Sequence, residues 1–267
     1  MTRSEPVHPI LYARLVADLR RLGVETGMTV LVHASLSRVG WIIGGIQTMI
    51  EALLETLGPP GTLMMPTHSS EWSEPSRWRN PPVPPESFDA VRAAMPAWDA
   101  ARSATWSMGA LAEAFRRWPG VARSRHPQTS FAAVGPATGA LLDHHRLGDA
   151  LGETSPIGRL YALDGHVLLL GVGHANNTSL HLAEYRSDWT GKTWHEEGAP
   201  MLVDGERRWQ HFEELKVNDD DFAEIGQTFE QSQPGVAIGQ VGNAESRLFR
   251  QRPLVDWAVT RMTDHRP

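Results

Sequence analysis

The stretch Met28-Thr-Val-Leu-Val-His-Ala-Ser-Leu-Ser37, followed by Gly40, Gly44-Gly45, Ile46 to Leu57, Gly58-Pro59-Pro60 and Thr62-Leu-Met-Met65, decides the fold class. Met28 to Val32 is a short apolar run, the pattern of a buried strand. It runs into hydroxyl-bearing residues and a glycine-rich turn. Ile46 to Leu57 then returns to helical spacing, which Gly58-Pro59-Pro60 ends. Thr62 to Met65 is a second strand, stopped by Pro66. Strand, loop, helix and strand in that order predict an α/β protein.

Upstream, Ile10 to Leu22 reads as an amphipathic helix with Leu11, Leu15, Val16, Leu19 and Leu22 on one stripe, stopped by Gly23. Downstream, periodicity vanishes between His68 and Asp99, where six prolines fall together with Trp72, Trp78 and Trp98. Tryptophans in that number argue against disorder and for an ordered lid or substrate-binding loop. Helices are expected at Ala110 to Arg117, Ala137 to His145, Phe222 to Gln231 and Leu254 to Met262, with a short apolar run at Ser130 to Val134. Val167 to Leu170 is the clearest strand. No repeat or linker divides the chain, so residues 1–267 are expected to form one domain carrying a Pro/Trp-rich insertion at about 68–103.

Composition narrows the function classes. The 267 residues contain no cysteine, which excludes thiolate metal sites, a cysteine nucleophile and disulfides. Lys+Arg number 25 against 31 Asp+Glu, and the net charge of −6 argues against general nucleic-acid binding and suits a cationic small molecule. Met1 to Arg20 has no signal-peptide apolar core and no run of 18 apolar residues exists, so a soluble cytoplasmic protein without a membrane span is expected. Twelve histidines invite a metal, but there is no HExxH and His174 and His181 are seven apart, so no metal is expected. Thr105-Trp-Ser-Met-Gly109 lacks the first glycine of a nucleophile elbow.

The most informative motif is Gly171-Val-Gly-His-Ala-Asn-Asn-Thr-Ser-Leu-His-Leu-Ala-Glu184. A strand ends in glycines, turns through polar residues and opens a helix on which Thr178, His181 and Glu184 share a face at spacings of three. A histidine there can act as general base with a carboxylate nearby, close to backbone N–H groups that suit an oxyanion. An N-cap at Asn176 or Asn177 followed by an ordinary amphipathic turn accounts for the same residues. His33-Ala-Ser-Leu-Ser37 with its glycines suits a phosphate or pyrophosphate, or only a tight turn, since it matches neither nucleotide-loop spacing. Arg123-Ser-Arg-His-Pro127 can bind phosphate or be a solvated loop. The acidic stretch from Glu213 to Asp221, with Glu224, can bind a polycation, supply a carboxylate to His181, or cap a helix.

Together these segments are similar to the aminoglycoside 3-N-acetyltransferase family. The likeness rests on His33 to Ser37 with Gly40, Gly61 to Thr67, Arg123 to Phe131, Gly152 to Pro156, Gly171 to Glu184, Asp221 to Gly226 and Gly239 to Phe249, in order along nearly the whole chain. Loop 68–103 matches least, which leaves substrate range open. The resemblance implies a layered α/β sandwich with a mixed central sheet, distinct from the common GNAT acetyltransferase fold, whose Q/RxxGxG/A signature is absent here. It implies acetyl-CoA as cosubstrate, a polycationic aminoglycoside as substrate and an antibiotic-resistance activity. His181 would be the general base and Thr178 would lie beside the thioester carbonyl. His33, Ser35, Leu36, Ser37, Gly40, Gly45, Ser107, Met108, Gly109, Arg123 and His126 would line the coenzyme site. Glu184, Asp221 and Glu224 would face the amines, joined by Glu71 from the loop. Glu224, and next Asp221, is the carboxylate expected to orient His181. Direct transfer through a ternary complex is expected. The sequence is also compatible with a homodimer, with a family member acting on another amine, and with a non-catalytic ligand-binding relative.

Overall fold

The computed structural model describes residues 8–266; the first seven residues, part of the stretch read above as lacking a signal-peptide core, lie outside it. After helix α1 (Tyr12–Leu22) come β1 (Thr29–Ala34), α2 (Leu36–Val39), α3 (Gly45–Leu57) and β2 (Thr62–Pro66). Then follow α4 (Phe88–Ala94), α5 (Gly109–Phe115), β3 (Ala122–Arg123), β4 (Phe131–Val134), α6 (Thr138–Leu142) and α7 (Pro156–Ala162). The second half holds β5 (His166–Leu170), α8 (Ser179–Arg186), β6 (Trp194–Val203), β7 (Glu206–Leu215), α9 (Phe222–Ser232), β8 (Ala237–Val241), β9 (Ala244–Arg250) and α10 (Gln251–His265).

Seven strands form one mixed sheet in the order β3-β4-β2-β1-β5-β9-β8. Its centre, β2-β1-β5, is parallel; β4, β3, β9 and β8 pair antiparallel on the two flanks. The period-2 alternation of strands splits the core. Val30, Val32, Leu63, Met65, Leu168 and Leu170 pack with α1, α3 and α5 on one face. Leu31, Met64, Val167 and Leu169 pack with α6 to α10 on the other. The result is an α/β sandwich with helices on both sides of a mixed sheet. β6 and β7 form a separate hairpin, ten residues paired with ten, turning at Asp204-Gly205 with both residues at positive φ.

Several expectations shift in detail. Leu11, placed on the α1 stripe, is the exposed residue before the helix, while Leu15, Val16, Leu19 and Leu22 are buried. Gly23 at φ 105° ends α1 in the left-handed region. β2 runs through Pro66 instead of stopping before it, and α6 covers only five residues of the longer helix expected. The 68–103 insertion holds two 3-10 turns and α4, a helix with no buried residue, so it offered no apolar stripe to read.

Candidate active site

β1, β2 and β5 run parallel, so their carboxyl ends open on one edge of the sheet, where ligands bind in α/β folds. A cavity of about 550 Å³ lies there. β1 contributes His33, and the turn after it Ser35, Leu36, Ser37 and Arg38. β2 supplies Met65, the end of the insertion supplies Ser107, Met108 and Gly109, and the loop after β5 supplies Gly171 to Gly173, Asn176 and Thr178. Ser107 stands at φ 57°, a left-handed conformation unusual for a side-chain-bearing residue, which marks a constrained turn at the cavity wall.

His181 stands one turn into α8, three residues beyond Thr178. Its Nδ1 lies 2.6 Å from Oε2 of Glu184. Glu184 has no exposed surface, and its other oxygen accepts from the Asn218 backbone N–H at 2.7 Å and from Arg266 Nη1 at 2.6 Å. A buried carboxylate that accepts from every side assigns the His181 proton to Nδ1. That leaves Nε2 with its lone pair, the tautomer a general base needs. The ring packs against Phe222 at 4.8 Å between centroids. Among the described residues the Thr178 hydroxyl has no hydrogen-bond partner.

Two further histidines face this centre. His33 is pushed down to about 3 by burial, with His181 adding to the effect. His68 is held at about 3 by burial and then by His181 and His33. Both rings are therefore neutral near pH 7, and Nε2 of each is buried without a partner. His68 follows β2 by two residues, a place that sequence reading left inside the loop.

The carboxylate that orients His181 is Glu184, not Glu224 or Asp221. Spacing along one helix brings Glu184 to the ring, whereas Glu224 is exposed on the first turn of α9. Glu184 is thus not free to face a substrate amine. Asp221 is occupied by Arg266, with contacts of 2.5 and 2.8 Å. Arg266, 82 residues from Glu184 in sequence, has no local signal and was missed. Glu71 is exposed at the start of the insertion.

Arg123 and His126 are turned into the protein, away from the cavity. Arg123 donates to Ser130 Oγ, Ser69 Oγ and the carbonyls of Thr67, Ala100 and Ser103, and it lies over the Trp98 ring at 5.2 Å. From β3 it clamps both ends of the insertion together and to Ser130, the residue before β4. His126 is fully buried; its Nδ1 accepts from the backbone N–H groups of Gln128 and Thr129, and its ring stacks on His145 at 4.7 Å. Gly40, in the turn after α2, and Gly45, the first residue of α3, are not among the residues that line the cavity. A Cβ at Gly40 would meet Asn243 Nδ2 at 2.7 Å.

The family model described as aminoglycoside 3-N-acetyltransferase matches residues 31–263, which span the sheet, the cavity and the His181–Glu184 pair. The chain belongs to the aminoglycoside 3-N-acetyltransferase family. It is similar to an SPbeta prophage-derived aminoglycoside N(3')-acetyltransferase-like protein, YokD, of Bacillus subtilis, with 43% identity over 91% of this chain and 89% of that one. The crystal structure of YokD superposes with a TM-score of 0.94, covering 97% of this chain and 95% of the other. Aminoglycoside N(3)-acetyltransferase VII of Streptomyces paromomycinus is 39% identical over 96% of this chain and 92% of its own. Among solved structures, AAC-IIIb binary with CoASH and AAC-VIa bound to sisomicin each match with a TM-score of 0.86 and 31% identity. Each covers 96% of this chain, with 97% and 98% of the respective neighbour.

Proposed function

We propose that the protein transfers the acetyl group of acetyl-CoA directly to the 3-amino group of an aminoglycoside, in a ternary complex with His181 as general base. The observation that carries this reading is the 2.6 Å contact between His181 Nδ1 and the buried Glu184 carboxylate, beside a cavity that Thr178 lines. The cavity suits a pantetheine arm. Hydroxyls of Ser35, Ser37 and Ser107 can meet its amides, and Leu36, Met65, Met108 and Leu111 can meet its methylenes.

An aminoglycoside amine is mostly protonated near neutral pH and must lose a proton to attack a thioester. The ammonium first sheds one proton to solvent; as the free amine nitrogen bonds to the carbonyl carbon, His181 Nε2 takes a second N–H proton, and Glu184 steadies the imidazolium that forms. Thr178 Oγ donates to the oxyanion of the tetrahedral intermediate. As that intermediate collapses, the carbon–sulfur bond breaks and the imidazolium returns its proton to the leaving thiolate. No cysteine is present to carry an acyl group, in keeping with direct transfer. The family relatives named for aminoglycosides, and the neighbours bound to CoASH and sisomicin, support both substrates.

The test is thiol release from acetyl-CoA with and without a panel of aminoglycosides and simple amines. The protein contributes no thiol background. Release only with aminoglycosides, with the acetyl mass on the 3-amine, is the expected result. Turnover with another amine alone would overturn the substrate, and silence throughout would favour a ligand-binding relative. His181→Ala should lower turnover by at least about 10²-fold with acetyl-CoA affinity nearly intact. Near-wild-type turnover would remove His181 from the mechanism.

A further inference from the structure

A second histidine–carboxylate pair lies on the other side of the Gly171–Glu184 segment. His174 is buried in the short 3-10 turn His174–Asn176. Its ring stacks on Phe249, with centroids 5.4 Å apart, and sits so close to α9 that a Cβ at Gly226 would fall 1.9 Å from it. One face of the ring is therefore fixed by aromatic packing and another by bare backbone. Its Nε2 lies 3.0 Å from Oε1 of Glu230, which is also bonded by Arg247 Nε. Its Nδ1 lies 3.3 Å from Nδ2 of Asn177, a residue 1% exposed.

These contacts form a directed chain. Glu230 accepts from Arg247 and can only accept from His174, so the His174 proton sits on Nε2. Burial pushes the ring below its ordinary value, against the pull of Glu230, which keeps it neutral. Nδ1 is then an acceptor, and only the NH₂ end of the Asn177 amide can face it. That orientation turns Asn177 Oδ1 toward the backbone N–H of Ser179, which donates to it at 3.2 Å. Asn177 also accepts through its own carbonyl from Leu180 N–H at 3.1 Å. Thr178 is the residue held between these two contacts. A reversed Asn177 amide would set its NH₂ against the Ser179 N–H, donor against donor, and release the turn.

We propose that His174 is a positioning residue for acetyl transfer: through Asn177 it fixes the turn that presents the Thr178 hydroxyl to the cavity, with Glu230 setting its tautomer. The inference rests on the role given to Thr178 under the proposed function, and the test separates the two. The measurement is the single-turnover rate of acetyl transfer in a double-mutant cycle of His174→Phe and Thr178→Val. Phenylalanine keeps the stack on Phe249 and removes both nitrogens. His174→Phe alone should slow transfer about tenfold, the scale of a small misplacement of a reacting group, with KM for both substrates within about twofold. In the Thr178→Val background the same substitution should have no further effect.

Additive losses, a loss confined to KM, or an unchanged rate in His174→Phe would overturn the positioning role. Thr178→Val at the wild-type rate would overturn the hydroxyl's role and this one with it. Thr178→Val slowed with His174→Phe unchanged would overturn this inference alone. Should His174→Phe not fold, Asn177→Ala replaces it in the cycle with the same expected pattern, since it removes the link itself.

Discussion

His181 and Glu184 are one turn apart on α8, so a single helix sets both the proposed base and the carboxylate bonded to it. The carboxylate's remaining oxygen is tied to Asn218 and Arg266, which removes freedom from the ring as well. Glu184→Gln should lower turnover at least about tenfold, because an amide stabilises the imidazolium less than a carboxylate does. Glu224→Gln, at an exposed position, should stay within about twofold. Steady-state kinetics on the two variants side by side would distinguish them, and equal losses would reject the assignment of Glu184. Arg123 behaves differently. Burial holds its guanidinium at about 10, below its ordinary value, with Arg116 adding to the effect, yet five hydrogen bonds compensate for its lost hydration. Arg123→Leu should destabilise the fold by about 3–5 kcal/mol through those abandoned acceptors. Thermal unfolding should show that loss, while KM for acetyl-CoA, measured below the unfolding transition, stays unchanged. A selective loss of coenzyme affinity would return Arg123 to the cavity.

At the scale of elements, the β6–β7 hairpin is joined to α8 through Tyr185, whose hydroxyl donates to Glu214 on β7. Burial pushes Glu214 up to about 7, above its ordinary 4.5. Because the folded value is the higher one, the stability this group contributes is present below 4.5 and is lost as pH rises through about 7. Glu214→Gln cannot lose that proton. Its melting temperature should therefore gain on wild type as pH rises from 4.5 to 7.5, by about 2–4 °C for each kcal/mol of penalty removed. A difference that does not vary with pH would exclude Glu214 as the titrating group.

The same hairpin shows where sequence reading ends. β1, β2 and β5 were legible because strands buried on both faces read as unbroken apolar runs. α1, α3, α9 and α10 carry apolar positions at helical spacing and were legible too. Glu206-Arg-Arg-Trp-Gln-His-Phe-Glu-Glu-Leu215 offers no such pattern, since most of β7 is exposed or half-exposed. Its only local signal is Asp204-Gly205, a pair suited to the positive φ angles of a two-residue turn. In the candidate site, the spacing of Thr178, His181 and Glu184 was visible. Which carboxylate reaches the ring was not, because that depends on burial and on Arg266, which arrives from the far end of the chain.

Taken whole, the molecule carries a net charge of −6 and the proposed substrates have opposite signs. Association of a polycation with such a body is favoured by long-range attraction, which salt screens over about 8–10 Å. Raising ionic strength should lower kcat/KM for the aminoglycoside severalfold and leave kcat nearly constant. For anionic acetyl-CoA, kcat/KM should hold or rise. Parallel declines for both would show that local charges at the cavity outweigh the overall field.

The insertion is fastened to the hairpin as well as to the sheet. Glu74 N–H donates to Glu197 at 2.6 Å, Trp98 N–H to the Pro200 carbonyl at 2.8 Å, and Arg207 Nε to the Met95 carbonyl at 2.8 Å. Those anchors lie outside the seven-stranded sheet, whose strand ends, following turns and helix α8 carry His33, Thr178 and His181. A lineage can therefore exchange this outer pair of segments, together, while inheriting the chemical centre intact. Substitutions would then accumulate in correlated sets across residues 68–103 and 194–215, and grafting either segment alone between relatives would give a chain whose insertion has lost its mooring.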